Sequence, residues 1–213
     1  MNILLAGATG LVGRAALELF LADASCQRLI AVTRRPLAHP PHPKLDARIA
    51  DFDHLDNLQN LDRPTHVVCA LGTTLRQAGS RAAFRHVDYD YPLALAHLGL
   101  AAGAHHFLLV SSLGANPGSV VFYSRVKGEI ELAIRTLPYR SVSILRPSLL
   151  LGSRQQFRPG ERIAQALAPL IPGKYRPIAA RDVAAGLVRA AREDARGVRV
   201  IASAELRAWA RGG

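Results

Sequence analysis

The amino-acid sequence predicts an α/β protein: a doubly wound parallel sheet with a small helical region toward its carboxyl end. Three observations carry this. Short apolar runs suited to strands buried on both faces alternate with longer segments of helical spacing. The first run leads directly into closely spaced glycines and then into a helix-like stretch. The alternation continues without an internal repeat or linker, so residues 1–213 read as one domain. Within it, residues from about 150 to 213 are expected to form the substrate side.

Asn2-Ile3-Leu4-Leu5-Ala6 is the first strand, and the alanine-rich segment Leu11 to Ala22 the first helix. Arg28 to Thr33 is the second strand, followed by a proline-rich loop, Pro36 to Pro43, that excludes regular structure. Arg48-Ile49-Ala50-Asp51-Phe52 reads as the end of a third strand and Thr65 to Leu71 as a fourth, with a break at Gly72-Thr73-Thr74. Asp88 suits the N-cap of a helix running to Ala102, which would put Pro92 in the tolerant first turn. A fifth strand is expected at His106 to Ser111, a helix at Val120 to Arg135 and a sixth strand at Ser141 to Arg146. Helical patterns at Glu161–Leu170 and Asp182–Arg192 and a short strand at Val198–Ala202 complete the chain.

Composition narrows the function classes. No apolar run approaches the ~20 residues that span a bilayer, and the amino terminus lacks the basic region of an export signal, so a cytoplasmic location is expected. Two cysteines, Cys26 and Cys69, make neither a disulfide framework nor a zinc site. The net charge of +11 comes from arginines scattered over the chain, with few aromatics for base stacking, so no specific nucleic-acid partner is expected. The eight histidines carry no carboxylate spacing that a metal set requires, and no metal site is expected. No G-x-S-x-G elbow is present for serine hydrolase chemistry. Nothing in the sequence decides between monomer and homodimer.

Gly7-Ala8-Thr9-Gly10-Leu11-Val12-Gly13 lies between the first strand and the first helix. Glycines of a plain turn would look the same in isolation; the strand before and the helix after favour a dinucleotide site. Gly7 can take a positive φ, Gly10 lets the backbone approach a pyrophosphate, and Gly13 lets the helix pack closely on the sheet. The helix amino terminus then offers N–H groups and partial positive charge to phosphates. The second strand ends in Arg34-Arg35, where an NAD enzyme usually places an acid for the ribose hydroxyls. Two guanidiniums suit a 2′-phosphate, so NADP(H) is favoured over NAD, with Arg34 the nearer contact. Solvated charges at a strand end are the alternative.

Tyr123 and Lys127, four residues apart, share one helix face, and Ser112 follows the fifth strand at the sheet edge where open α/β folds bind ligands. Such a set can pass a proton beside a coenzyme: hydride moves to a carbonyl carbon, Tyr123 protonates the oxygen and Ser112 orients it. A free phenol titrates near 10, so working near neutrality takes about 3 units, roughly 4 kcal/mol, which a neighbouring ammonium and a nicotinamide ring can supply.

These motifs resemble the short-chain dehydrogenase/reductase superfamily, and within it the Tat-interacting-protein-like group. The likeness is carried by Gly7 to Gly13, Cys69-Ala70-Leu71-Gly72-Thr73-Thr74, Ser111-Ser112-Leu113-Gly114-Ala115, Tyr123 to Glu129 and Leu145-Arg146-Pro147. The resemblance implies a Rossmann-like fold that binds NADP(H). It implies further that Asp51-Phe52 flank the adenine, Leu71-Gly72-Thr73 line the cofactor and Arg146-Pro147-Ser148 sit near the nicotinamide. Many members carry an asparagine before the fifth strand that supports a proton-relay water; here the matching residues are Val87-Asp88-Tyr89.

The expected function is NADP(H)-dependent hydride transfer to or from a small carbonyl or alcohol substrate, with catalytic Ser112, Tyr123 and Lys127. An NADPH-binding regulator with little turnover is the second reading. A nucleotide-sugar epimerase or dehydratase is the third, disfavoured by Arg34-Arg35 and by the small carboxyl-terminal part.

Overall fold

The computed structural model describes residues 1–151 and 175–212. Its strands are β1 (Asn2–Ala6), β2 (Arg28–Thr33), β3 (Leu45–Ile49), β4 (His66–Cys69), β5 (His106–Val110), β6 (Ser141–Arg146), β7 (Leu150–Leu151), β8 (Ile178–Ala179) and β9 (Gly197–Ala202). Seven of them form one sheet in the order β3-β2-β1-β4-β5-β6-β9, every pair parallel. That is the Rossmann-like doubly wound order expected from the sequence. The pair β7 and β8 forms a separate small ladder.

The strands read as apolar runs because both faces are covered. On β1, Ile3 and Leu5 face a core shared with α1 (Leu11–Ala22), α6 (Ala180–Glu193) and α7 (Ser203–Arg211). Leu4 and Ala6 face the opposite core, with α4 (Tyr91–Ala101) and α5 (Phe122–Arg135). The period-2 alternation of a strand therefore meets apolar partners at every position. On the edge strand β3, by contrast, Asp46 and Arg48 pair with each other, and such charges discourage strand addition. The helical pattern at Asp182–Arg192 lies within α6 and the strand at Val198–Ala202 within β9. The pattern at Glu161–Leu170 lies outside the described residues.

The helix before β5 departs from the sequence reading. It does not begin at Asp88. After a short helix α2 (Leu75–Ala78), Ser80 caps α3 (Arg81–Arg85), a π-helical turn follows at His86–Asp90, and α4 continues from it. Asp88 is therefore interior and fully buried, and Pro92 lies well inside the helical run. Proline has no N–H for the carbonyl four residues back, and its ring crowds that carbonyl. The turn widens in response, and Tyr91 donates instead to the His86 carbonyl five residues back. Downstream, α5 starts at Phe122, because Val121 keeps extended dihedrals as its N-cap.

Candidate functional site

The chain leaves β1 outward to β2 and β3, then returns to β4, so the sheet reverses between β1 and β4. A crevice opens at the carboxyl ends of these two strands, lined by Gly7, Thr9 and Gly10 on one side and Ala70, Leu71 and Gly72 on the other. Val32, Thr33 and Arg34 close the end at β2, and Phe52, Val87 and Tyr91 complete the wall.

The three glycines do different work. Gly7 has φ +92°, and a Cβ there would stand 2.5 Å from the Ala70 backbone, so the turn presses against the end of β4. A Cβ on Gly13 would lie 1.9 Å from the Gly7 carbonyl oxygen, which is why α1 can start directly beneath the turn. A Cβ on Gly10 would meet only the Gly7 oxygen, at 3.4 Å. The protein itself tolerates a side chain at Gly10; the open space in front of it is what a pyrophosphate needs. Gly10 is also the N-cap of α1 and offers no side chain to the first-turn N–H groups, which carry no acid nearby either. The crevice fits a dinucleotide on these grounds.

Of the other residues expected at the cofactor, Val12 is buried in the core and Leu11 packs partly against it. Arg34 is exposed at the crevice rim, whereas Arg35 does not line it. Phe52 is a buried wall residue in contact with the Tyr91 ring at 5.4 Å between centroids. The Asp51 carboxylate accepts the Asp53 N–H and so caps the turn that positions Phe52. Thr73 donates its N–H to Asp88 at 2.8 Å. The Arg146 guanidinium is engaged by Glu131, through Nε at 2.8 Å and Nη2 at 2.5 Å. Pro147 is buried, and the Ser148 hydroxyl is held by the Arg176 carbonyl and by Ser203.

Tyr123, Lys127 and Glu131 repeat every four residues along α5 and form one polar stripe. Gly128 lets the loop after β5 lie on this helix: a Cβ there would fall 2.2 Å from Asn116 and Pro117. The Asn116 N–H bonds the Ser124 carbonyl at 3.0 Å, fixing that loop to the first turn of α5. The two adjacent serines are then distinguished by their partners. Ser111 donates to Glu131 at 2.6 Å inside the core. Among the described residues, the buried Oγ of Ser112 has no hydrogen-bond partner, although such a group ordinarily finds one. Of the two hydroxyls, only that of Ser112 is left without a partner among the described residues.

Lys127 is buried, with Nζ 2.8 Å from the buried Asp88 Oδ1. Burial alone would push its ammonium down, but the Asp88 carboxylate and the Tyr123 phenol outweigh this and hold it above the ordinary lysine value. Tyr123 is half-buried, its ring 5.5 Å from that of Phe84. Below them, burial pushes the Cys69 thiol up to about 12, leaving it an apolar filler. Sequence reasoning missed Asp88 as a partner of Lys127, Glu131 as the anchor of Ser111 and Arg146, and Val87 and Tyr91 as wall residues. The spacing from Lys127 to Glu131 was a usable signal; the others depend on the π-helical turn.

At the opposite sheet edge His66, His105 and Asp194 bring donor atoms within 4.8 Å of one another, a gathering the sequence reading did not foresee. His66 has both ring nitrogens engaged, by Thr65 Oγ1 at 2.7 Å and the Ala191 carbonyl at 3.2 Å. The Arg140 guanidinium sits on the same Asp194 carboxylate and would repel a cation. Burial pushes His66 down to about 4 and His106 to about 3, so both rings are neutral near pH 7. The cluster ties the starts of β4 and β5 to the end of α6.

Comparison with known proteins shows the family and the fold. A family model described as "NAD dependent epimerase/dehydratase family" matches residues 3–201. Protein HTATIP2 of Rattus norvegicus is 34% identical over 177 residues, covering 82% of this chain and 73% of its own. The mitochondrial protein fmp52 of Emericella nidulans is 33% identical over 175 residues, covering 78% of this chain and 74% of its own. Among solved structures, MoeE5 in complex with UDP-glucose and NAD superposes with a TM-score of 0.70 at 18% identity, over 94% of this chain and 75% of its own. Human epimerase family protein SDR39U1 with NADPH gives a TM-score of 0.65 at 18% identity, over 96% and 77%. The structures speak for the fold alone. The resemblance seen in the glycine turn and the Tyr123–Lys127 segment is borne out, and with a model spanning residues 3–201 the chain belongs to the NAD dependent epimerase/dehydratase family.

Proposed function

We propose that this protein is an NADP(H)-dependent oxidoreductase acting on a small carbonyl or alcohol compound. The observation that carries the proposal is the buried Ser112 Oγ, unpartnered among the described residues, on a loop fastened to the helix turn that bears Tyr123. Gly7, Thr9, Gly10 and the first N–H groups of α1 would hold the pyrophosphate, Phe52 and Tyr91 would border the adenine, and Arg34 would meet the 2′-phosphate. The bound coenzyme supplies the hydride. Ser112 orients the substrate oxygen, Tyr123 gives it a proton in the direction of reduction, and Lys127 favours the phenolate that remains.

NADPH is preferred to NADH in this reading because Arg34 stands at the rim where NAD enzymes keep an acid. Solved structures with this fold hold NAD in one case and NADPH in another. Cytoplasmic residence belongs to the proposal: among the described residues no helix is long and apolar enough to cross a membrane. The fungal relatives are named mitochondrial, so cell fractionation is the test.

A panel of aldehydes and ketones assayed by NADPH oxidation at 340 nm, with wild type beside Tyr123→Phe, tests the proposal. Reduction of at least one compound, falling by about 100-fold or more in the variant, is expected from the loss of a general acid. Turnover unchanged in Tyr123→Phe refutes the assignment. NADPH binding with no carbonyl reduced refutes it in favour of a coenzyme-binding regulator.

A further inference from the structure

We infer that Asp88 is a positioning residue for this site, its carboxylate holding the Lys127 ammonium and the Gly72–Thr73 turn in one assembly. The inference rests on the reading of Tyr123 and Lys127 as the acid/base pair. Its two oxygens are divided between two partners. Oδ2 accepts the Thr73 N–H at 2.8 Å, and Oδ1 lies 2.8 Å from Lys127 Nζ, as a contact between charges without good hydrogen-bond angles. Asp88 is 0% exposed and Lys127 4%. A Cβ added to Gly72 would stand 3.5 Å from Asp88 Oδ1 and 3.7 Å from Lys127 Nζ, so the crevice wall lies directly against the pair.

The chemistry follows from donor count and burial. An ammonium has three N–H donors, and an ion pair with Asp88 occupies at most one of them, which leaves two for the Tyr123 phenol and a coenzyme hydroxyl. A lysine this buried gives up its proton readily unless a negative charge stands beside it. The groups facing Nζ are the Tyr123 phenol on α5, the Cys69 thiol on β4 and the Asp88 carboxylate on the π-helical turn. The thiol is neutral near pH 7. Among the described residues, Asp88 is the carboxylate paired with Lys127. The positive charge beside Tyr123 is therefore maintained from outside α5. The π-helical turn before Pro92 is what carries Asp88 inward to do this.

The chain has three lysines, Lys44, Lys127 and Lys174, so the Cε resonances of lysine-labelled protein can be followed individually by NMR, with Lys127→Arg giving the assignment. In wild type the Lys127 resonance should hold its protonated position past about pH 10.4, the ordinary lysine midpoint. In Asp88→Asn its midpoint should fall by about 2 units or more, and Asp88→Glu should restore it to within about 1 unit of wild type. NADPH affinity should fall about tenfold in Asp88→Asn and recover in Asp88→Glu. A midpoint in folded Asp88→Asn within about half a unit of wild type overturns the inference. Should Asp88→Asn not fold, a wild-type midpoint below about 10 overturns it as well. The lysine signals report the ammonium without turnover, so they stand even if no carbonyl compound is reduced.

Discussion

Alanine at Gly13 and alanine at Gly10 separate the glycine that the fold requires from the one that a ligand requires. At Gly13 the new Cβ would lie 1.9 Å from the Gly7 carbonyl oxygen, 2.6 Å from its carbon and 3.1 Å from the Ala8 nitrogen. All three are backbone atoms of the turn. None can swing away as a side-chain tip would, so helix α1 or the turn must shift by about 1.5 Å to restore ordinary contact. Overpacking of this kind costs about 1–3 kcal/mol, and more where backbone must yield. At about 3 kcal/mol, a chain of this size loses about 6–12 °C in melting temperature. At Gly10 the Cβ meets a single atom at 3.4 Å, and φ is −81°, which any residue adopts. Gly10→Ala should therefore stay within about 0.5 kcal/mol of wild type. A methyl in the path of the pyrophosphate should nonetheless weaken NADPH binding tenfold or more, about 1.4 kcal/mol. Thermal unfolding and calorimetric titration of both variants make the comparison. A Gly10→Ala protein that binds NADPH normally, or that melts as early as Gly13→Ala, would refute the reasoning.

Two further outcomes follow from buried charges. Glu131→Ala removes the partner of Ser111 and Arg146 and should destabilise by about 3–5 kcal/mol in chemical denaturation, most of which Glu131→Met/Arg146→Met should recover. Stability should fall with acid between pH 6.5 and about 4, because His66 and His106 stay neutral in the fold down to about 4 and about 3 while the unfolded chain takes up protons from 6.5. Their contribution is thus fully present above pH 6.5 and lost as pH falls through this window. The half-exposed His86, raised by Asp90 and Asp53, works weakly in the opposite sense. A flat denaturant midpoint over this range, or one unaffected by His66→Gln/His106→Gln, would contradict this.

Much of the framework was legible because local pattern and tertiary demand coincide. Strands such as Arg28–Thr33 and Ser141–Arg146 are buried on both faces, so their apolar runs have clear ends. The strand, glycine turn and helix at residues 2–22 are determined by neighbours in sequence, and Gly7 and Gly13 touch each other's backbone. Asp88 was read wrongly for a reason that is also local. An acid four residues before Pro92 looks like a helix cap, since proline is normally confined to the first turn. The alternative, a widened turn inside a longer helix, becomes favourable only when Lys127 and Thr73 are there to receive the carboxylate. Glu131 was hidden by the same kind of remoteness, because its partners Ser111 and Arg146 come from two strands. The difference between Ser111, bonded to Glu131, and Ser112, whose Oγ has no partner among the described residues, is visible only in three dimensions.

In the proposed reaction one coenzyme is shared by the crevice at Gly10 and the polar stripe at Lys127. A crystal structure of the NADPH complex measures this directly. The pyrophosphate is expected over Gly10, and the nicotinamide ring close enough to Tyr123 and Ser112 for a single carbonyl group to touch all three. A ring lying away from them, with the Tyr123 hydroxyl turned to bulk solvent, would contradict it.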